Sequence, residues 1–334
     1  MTLRVLVTGG AGYVGSHVAR ALVARGWDVV VFDIAETSST GPMAFVPSVR
    51  GDVRDTDFLA ATLGDHGTEA VIHLAGLKSV ADSLKDPGEY FDTNVRGSLS
   101  LCRAMVDRGV RHLVFSGSCA VYGIPGRLPV DESAEISPLN PYGESKALVE
   151  RFLHWFDETD HLRFMSLRYF NAAGAALDGL TGEDWSRAVN LIPVIMMAAL
   201  GLRGPVEVFG SDYPTPDGTA IRDYVHVVDL AAAHVLAVEH LHNGGASDFL
   251  NLGTGSGSSV LEVIREVERA SGRKVPIEVV GRRGGDAPAI WADGTKARRV
   301  LGWTPRHGLR SIIETAWAWH ASSSHDGGTA TAAR

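Results

Sequence analysis

Glycines at 9, 12 and 15 stand between the apolar run Arg4 to Thr8 and a helical pattern from Ser16 to Arg25, and this junction constrains the fold more than any other feature. A run that short and apolar reads as a buried strand. Glycines directly after it permit a tight turn, close approach of backbone to a pyrophosphate, and close packing of helix on strand. The helix then offers free N–H groups and the positive end of its dipole to phosphate. A second strand, Asp28 to Phe32, ends at Asp33, whose carboxylate can accept from an adenosine ribose and would repel a 2′-phosphate. Neither Arg nor Lys follows closely to receive that phosphate, so the pattern favours NAD. A glycine triplet alone is an ordinary turn; strand before, helix after and acid at the next strand's end make it a dinucleotide site. Gly9, Gly12, Tyr13, Val14 and Gly15 are the loop residues expected to line it.

The alternation continues. Ala70 to Leu74, Arg111 to Ser116 and Arg163 to Leu167 read as further strands separated by helical stretches, and each ends in a small or polar cluster. That order predicts an α/β fold, a Rossmann-type doubly wound parallel sheet, with ligands outside the carboxyl ends of its strands. From about residue 172 the pattern turns irregular, rich in Gly, Pro and Asp. The expected division is a cofactor domain over 1–171, to which later segments return, and a smaller α/β substrate domain over 172–320. The tail, 321–334, has the Ser/Thr/Ala/Gly composition of a disordered segment.

A second motif supplies chemistry. In Asn140-Pro141-Tyr142-Gly143-Glu144-Ser145-Lys146, Asn140 suits a helix N-cap and Pro141 the first helical position. Tyr142 and Lys146, four apart, then share a helix face. A cation near a phenol favours phenolate and lowers its pKa from about 10, which makes a tyrosine a usable base. Ser118, at the end of the Arg111 to Ser116 strand, completes a set for reversible oxidation of an alcohol: Tyr142 takes the hydroxyl proton, Ser118 hydrogen-bonds the same oxygen, and Lys146 holds the nicotinamide ribose.

Composition bounds the rest. The net charge of −8 over 334 residues argues against nucleic acid as the main partner. Cys102 and Cys119 give no disulfide framework and suit buried packing. The chain starts directly on a strand, without a signal peptide's apolar core, and its longest apolar run, near Leu191 to Leu202, is too short to span a bilayer and contains Pro193. The cytoplasm is the expected compartment, and no membrane association is expected. His234, His240 and His242 read as helix surface, and no metal site is expected.

The chain resembles the extended short-chain dehydrogenases/reductases, and among them the UDP-glucose 4-epimerase family, over roughly 1 to 320. The motifs that carry the likeness are Val5-Leu-Val-Thr-Gly-Gly-Ala-Gly-Tyr-Val-Gly-Ser-His17, Val71-Ile-His-Leu-Ala-Gly-Leu-Lys-Ser-Val80, Tyr142-Gly-Glu-Ser-Lys146, Leu167-Arg-Tyr-Phe-Asn171, the stretch Phe209 to Tyr224, and Trp291-Ala-Asp293. The resemblance implies an NAD-dependent enzyme that interconverts UDP-galactose and UDP-glucose through a 4-keto sugar. It implies that Asp52 and Val53 flank the adenine, that Leu74, Ala75, Gly76, Lys78 and Asn94 serve the dinucleotide, and that Tyr169 and Phe170 pass beside the nicotinamide. For the sugar nucleotide it implies Asn171, Asn190 and Leu191. It further implies backbone contacts from Glu207, Val208 and Phe209 to uracil, a diphosphate clamp of Arg222 and Arg283, and Asp286 on the uridine ribose. By the same analogy the protein is a homodimer.

The chain departs from the family pattern at three places. Cys119 and Ala120 replace a serine or alanine followed by threonine, Ile34 replaces an asparagine, and Ile290 stands where some relatives have tyrosine and others a small residue. That last position borders the sugar, so isoleucine implies room for UDP-N-acetylhexosamines. A related dehydratase or decarboxylase would need an acid in Ser118-Cys119-Ala120-Val121-Tyr122-Gly123, which holds none. A catalytically silent nucleotide-sugar-binding protein would be expected to have lost part of the Ser118, Tyr142 and Lys146 set.

Overall fold

A computed structural model describes residues 2–35, 46–185, 190–284 and 287–323. Seven parallel strands form the main sheet: β1 (Arg4–Thr8), β2 (Asp28–Asp33), β3 (Ser48–Arg50), β4 (Ala70–His73), β5 (His112–Ser118), β6 (Arg163–Tyr169) and, after four short strands, β11 (Asp248–Leu252). Their order across the sheet is β3-β2-β1-β4-β5-β6-β11. The chain winds outward from β1 in both directions, so the sheet's switch point lies between β1 and β4, where an open parallel sheet leaves a crevice at its carboxyl ends. The expected fold class is the one observed.

Alternation along β1 shows how the layers form. Val5 and Val7 face one apolar cluster and Leu6 the other, because successive strand residues point to opposite faces. The first face is covered by α1 (Tyr13–Ala24) and, from late in the chain, α8 (Val227–His242). The second is covered by α2 (Thr56–Asp65), α5 (Gly97–Asp107) and α6 (Pro141–Asp160). Between α2 and α5 run the short helices α3 (Val80–Lys85) and α4 (Pro87–Tyr90), then a π-helical turn, Phe91–Arg96.

The remaining elements form a separate apolar cluster built on α7 (Leu191–Ala199), α9 (Val260–Ser271) and α11 (Leu309–Ser323). The small strands beside it are β7 (Asn171–Ala173), β8 (Val206–Phe209), β9 (Ile221–Arg222), β10 (Tyr224–His226), β12 (Ser258–Ser259), β13 (Ile277–Val280) and β14 (Ala289–Ile290); α10 (Thr295–Leu301) completes the described helices. They pair as β10 with β7, β13 with β8, and β12-β9-β14. The apolar run near Leu191 becomes α7, and no described helix is long and apolar enough to cross a membrane. Helix α11 runs on to Ser323, past the expected start of the tail at 321; the rest of that tail lies outside the described residues.

Candidate active site

A cleft of about 800 Å³ opens along the carboxyl ends of the sheet strands. One wall is the glycine loop. Gly9 has φ +71, and a Cβ there would lie 2.5 Å from the Ala75 nitrogen; at Gly15 it would lie 2.2 Å from the Gly9 oxygen. Helix α1 has Gly12 as its N-cap and so no capping side chain for the N–H groups of its first turn. Gly9, Gly12, Tyr13, Val14 and Gly15 all line the cleft. Asp33 also lines it and ties the loop down, one oxygen accepting from Ala11 N (3.0 Å) and the other from Ala35 N (3.0 Å). Ile34 beside it is 67% exposed. Arg50, which no local pattern marks, donates to the Ile34 carbonyl (3.2 Å).

Asp52 and Val53 line the far end of this wall with Arg54. Arg54 pairs with Asp52 (2.6 Å) and Asp92 (2.7 Å), and hydrogen bonding to Arg54 holds Asp52 below the usual carboxylate range. Leu74, Ala75, Gly76 and Lys78 follow along the cleft. Asn94 does not line it. Its side chain sits behind, accepting from Leu77 N (2.8 Å) and donating to Leu77 O (3.0 Å) and to Ser145 (3.0 Å), so it shapes the wall. His73 is a further buttress: its two ring nitrogens meet Thr8 (2.7 Å) and Ser98 (2.8 Å). Burial, helped by nearby Lys146, pushes it down to about 3.

At the centre, β5 delivers Ser118 and α6 delivers Tyr142 and Lys146, all three on the cleft. Helix α6 begins as its sequence implies: the Asn140 side chain accepts from Gly143 N (2.9 Å), with Pro141 in the first turn. The expected lowering of the Tyr142 pKa is not found. Burial pushes the phenol up to about 12, against a smaller opposing effect of its hydrogen bond with Ser118. Lys146 is itself buried, which pushes it down to about 8, and its ammonium donates to the Ser116 carbonyl (2.9 Å). Desolvation dominates both shifts because both groups lie inside the wall rather than on a helix surface.

Tyr169 and Phe170 line the same region. The Tyr169 hydroxyl meets His234 Nε2 (2.6 Å), and His234, expected on a helix surface, is fully buried with its other nitrogen on the Leu230 carbonyl (2.8 Å). It props the tyrosine from beneath. His242 is exposed, and no cluster of metal-binding side chains occurs among the described residues.

The opposite wall is assembled from distant segments. Asn171, Asn190, Leu191, Arg222 and Ile290 line it, with Cys119 and Ala120. Arg222 donates to the Ile221 and Ala287 carbonyls (2.8 Å each), and Ile290 sits next to it in the β14–β9 pair. Glu207, Val208, Phe209 and Arg283 are not on this cleft. They meet at the β8–β13 pair, where the Arg283 guanidinium stacks 4.2 Å from the Phe209 ring centre. Val206 and Gly210 donate into the ladder to β13 (2.8 and 3.0 Å), so the alternation commits Val208 to that ladder as well. Glu207 and Phe209 therefore turn their N–H and C=O groups to the other edge, while Val208 turns its own toward β13. Asp286 lies outside the described residues.

Four groups escaped sequence reasoning. Glu183 accepts from both Lys78 (3.1 Å) and Asn190 (2.8 Å), one from each wall. Glu150, one turn beyond Lys146, forms a buried pair with Arg168 (2.8 Å). Asp223 accepts from Thr254 N, Gly255 N and Ala292 N behind Arg222. His234 is the fourth. Only Glu150 carried a local signal, its spacing from Lys146.

The glycine cradle, the uncapped α1 terminus and Asp33 fit a dinucleotide. A reacting alcohol between Tyr142 and Ser118 would face Tyr169 and Phe170. A family model described as the NAD dependent epimerase/dehydratase family matches residues 5–253. The UDP-glucose 4-epimerase of Rhizobium leguminosarum bv. trifolii is 47% identical over 322 residues, 96% of this chain and 98% of that one. That of Lactobacillus helveticus is 45% identical over 324 residues, again 96% and 98%. Among solved structures, UDP-glucose-4-epimerase from Stenotrophomonas maltophila, with bound NAD and formylated UDP-arabinopyranose, matches with a TM-score of 0.93 at 43% identity, covering 97% of this chain and 100% of that one.

Proposed function

The chain belongs to the NAD dependent epimerase/dehydratase family, and we infer from that premise that it interconverts UDP-galactose and UDP-glucose. One observation carries the reading: Ser118, Tyr142 and Lys146 converge on the cleft that also holds the glycine loop. NAD supplies the hydride acceptor and donor and, while oxidised, a positive ring that favours the phenolate. Tyr142 takes the proton of the sugar 4-hydroxyl and returns it to the 4-keto oxygen. Ser118 hydrogen-bonds that oxygen throughout. Lys146 holds the nicotinamide ribose, its buried ammonium oriented by the Ser116 carbonyl.

Inverting C4 requires the hexose to turn while the nucleotide stays fixed. Arg222 on the cleft and Arg283 on Phe209 offer planar cations for the diphosphate. The free edge of β8 offers backbone groups of Glu207 and Phe209 to uracil. We place NAD on residues 1–171, with α8 and β11 as part of its support, and the UDP-sugar mainly on 172–320. The short segment after Ser118 brings Cys119 and Ala120 to the cleft and no carboxylate, so elimination lacks its acid there.

Ile290 is buried (6% exposed) on the sugar wall. Isoleucine is shorter than tyrosine, so UDP-N-acetylhexosamines should also turn over, and Ile290→Tyr should abolish that activity while UDP-galactose still reacts. No turnover of UDP-N-acetylgalactosamine by the native enzyme would overturn this. The proposal extends to a homodimer in the cytoplasm. The outer face of α6, with Trp155 65% exposed, supports self-association, and two free cysteines suit a reducing compartment.

The decisive test incubates purified enzyme with UDP-galactose, without added NAD, and follows the anomeric NMR signals. UDP-glucose should appear. Product only after NAD is added would leave the reaction standing and remove only tight retention; no product in either case would overturn the reading.

A further inference from the structure

Epimerisation returns a hydride to the same sugar, so losing the cofactor between the two halves would strand a 4-keto sugar. Something must keep the dinucleotide in place, and the glycine cradle is only one side of a cleft. The segment from Gly174 to Asp184 crosses from β7 toward Asn190 and is fastened to the cofactor half at three places. Gly174 O accepts from the Tyr13 hydroxyl (2.6 Å). Near the middle, Arg20 of α1 pairs with Asp178 (2.5 Å) and donates to Thr181 (2.8 Å), while His17 approaches the Thr181 hydroxyl (3.4 Å). Beyond it, Glu183 pairs with Lys78 (3.1 Å).

Behind, the same segment is pinned to α11. Ala175 N donates to the Thr315 hydroxyl (3.1 Å), and the Trp319 indole donates to the Glu183 carbonyl (3.1 Å). Gly182 lies so close to that indole that a Cβ would come within 2.4 Å of it. The segment also folds on itself, Ala176 N donating to Thr181 O (2.8 Å). Its cleft-facing members are Gly174, Gly182, Glu183 and Asp184, opposite the glycine loop.

We propose that residues 174–184 are a strap that retains NAD, with Glu183 as its clasp. Glu183 is suited to this because it is 6% exposed yet charged, and it holds one residue from each wall: Lys78, at the end of the cofactor wall, and Asn190, the N-cap of α7. A buried carboxylate beside a binding site for diphosphates repels the ligand's charge. Its partners show what it does: it fixes the two walls relative to each other. Glu183 is thus a positioning residue, and Arg20 and Asp178 fasten the strap from outside the cleft.

The inference rests on the reading that the cleft holds NAD, and the test separates the two. NAD-loaded enzyme is passed into nucleotide-free buffer, and released nucleotide is measured by chromatography over time, with no sugar present. Glu183→Gln, which keeps the shape and an acceptor oxygen but removes the charge, should release NAD at least about tenfold faster than the native enzyme. Asp178→Asn touches nothing in the cleft and should speed release by about two- to fivefold, an effect that salt reproduces in the native enzyme. With excess NAD, turnover of the Asp178 variant should return to the native rate. Native release rates in both variants, with NAD bound by all three proteins, would overturn the strap alone. A native enzyme that neither carries nor takes up NAD would overturn the functional reading with it.

Discussion

The cofactor wall of the cleft is largely backbone from two short stretches: Gly9, with its φ of +71, and the uncapped start of α1; then the chain from Leu74 to Leu77 held by Asn94. The sugar wall is largely side chains, Asn171, Asn190, Arg222 and Ile290, each from a different element. A backbone cradle depends on the absence of side chains, so a single added carbon breaks it. A side-chain wall depends on the folding together of remote segments, so its members can be altered one at a time.

The seam between the walls should show the largest effect. Tyr142→Phe removes the proton-transfer hydroxyl and little volume, so kcat should fall by about 10²–10⁴ while UDP binding measured by calorimetry stays native. Near-normal turnover would assign the base elsewhere. On the cofactor wall, Gly15→Ala places a carbon 2.2 Å from the Gly9 oxygen. Bound NAD should be lost and the melting temperature should drop, because neither neighbour is a flexible side chain. On the sugar wall, Arg222→Met should raise KM for UDP-galactose by about 10- to 100-fold, the worth of a charge-assisted contact, with kcat changed little. A Gly15 variant with full NAD, or an Arg222 variant altered in NAD content rather than KM, would undo the contrast.

An effect on stability rather than on the reaction reaches behind both walls. Burial holds His73 at about 3 and His226, His234 and His320 at about 4. The unfolded chain protonates them near 6.5, so between there and 4 it binds more protons than the folded protein. Stability is therefore complete above about pH 6.5 and falls as pH drops, by up to about 1.4 kcal/mol per pH unit for each histidine. Urea midpoints between pH 7 and pH 5 should fall steadily. A flat profile would mean that these rings are not held neutral.

The contrast also explains what could be read in advance. Gly9, Gly12, Gly15 and Asp33 follow one another along β1, α1 and β2, and local spacing fixes their geometry. Tyr142 and Lys146 share a face because a helix repeats every 3.6 residues. By contrast, nothing in the separation of 105 positions from Lys78 to Glu183 carries a periodicity that announces their ion pair. The shift of Tyr142 is illegible in the sequence for a related reason: spacing reveals a neighbouring cation, but the depth of burial that sets the shift comes from packing. His234 looked like helix surface because one histidine on a helix does not show which face turns inward.

By itself the sequence determined the parallel sheet and marked the glycine cradle and the proposed proton-transfer groups, since each rests on interactions within a few residues or on hydrophobic periodicity. Only the tertiary structure decided the protonation tendencies of those groups, the pairing of Val208 with β13, and the contacts that Glu183 makes with both walls. Those depend on desolvation and on contacts between segments far apart in the chain, which become defined only when the core has packed.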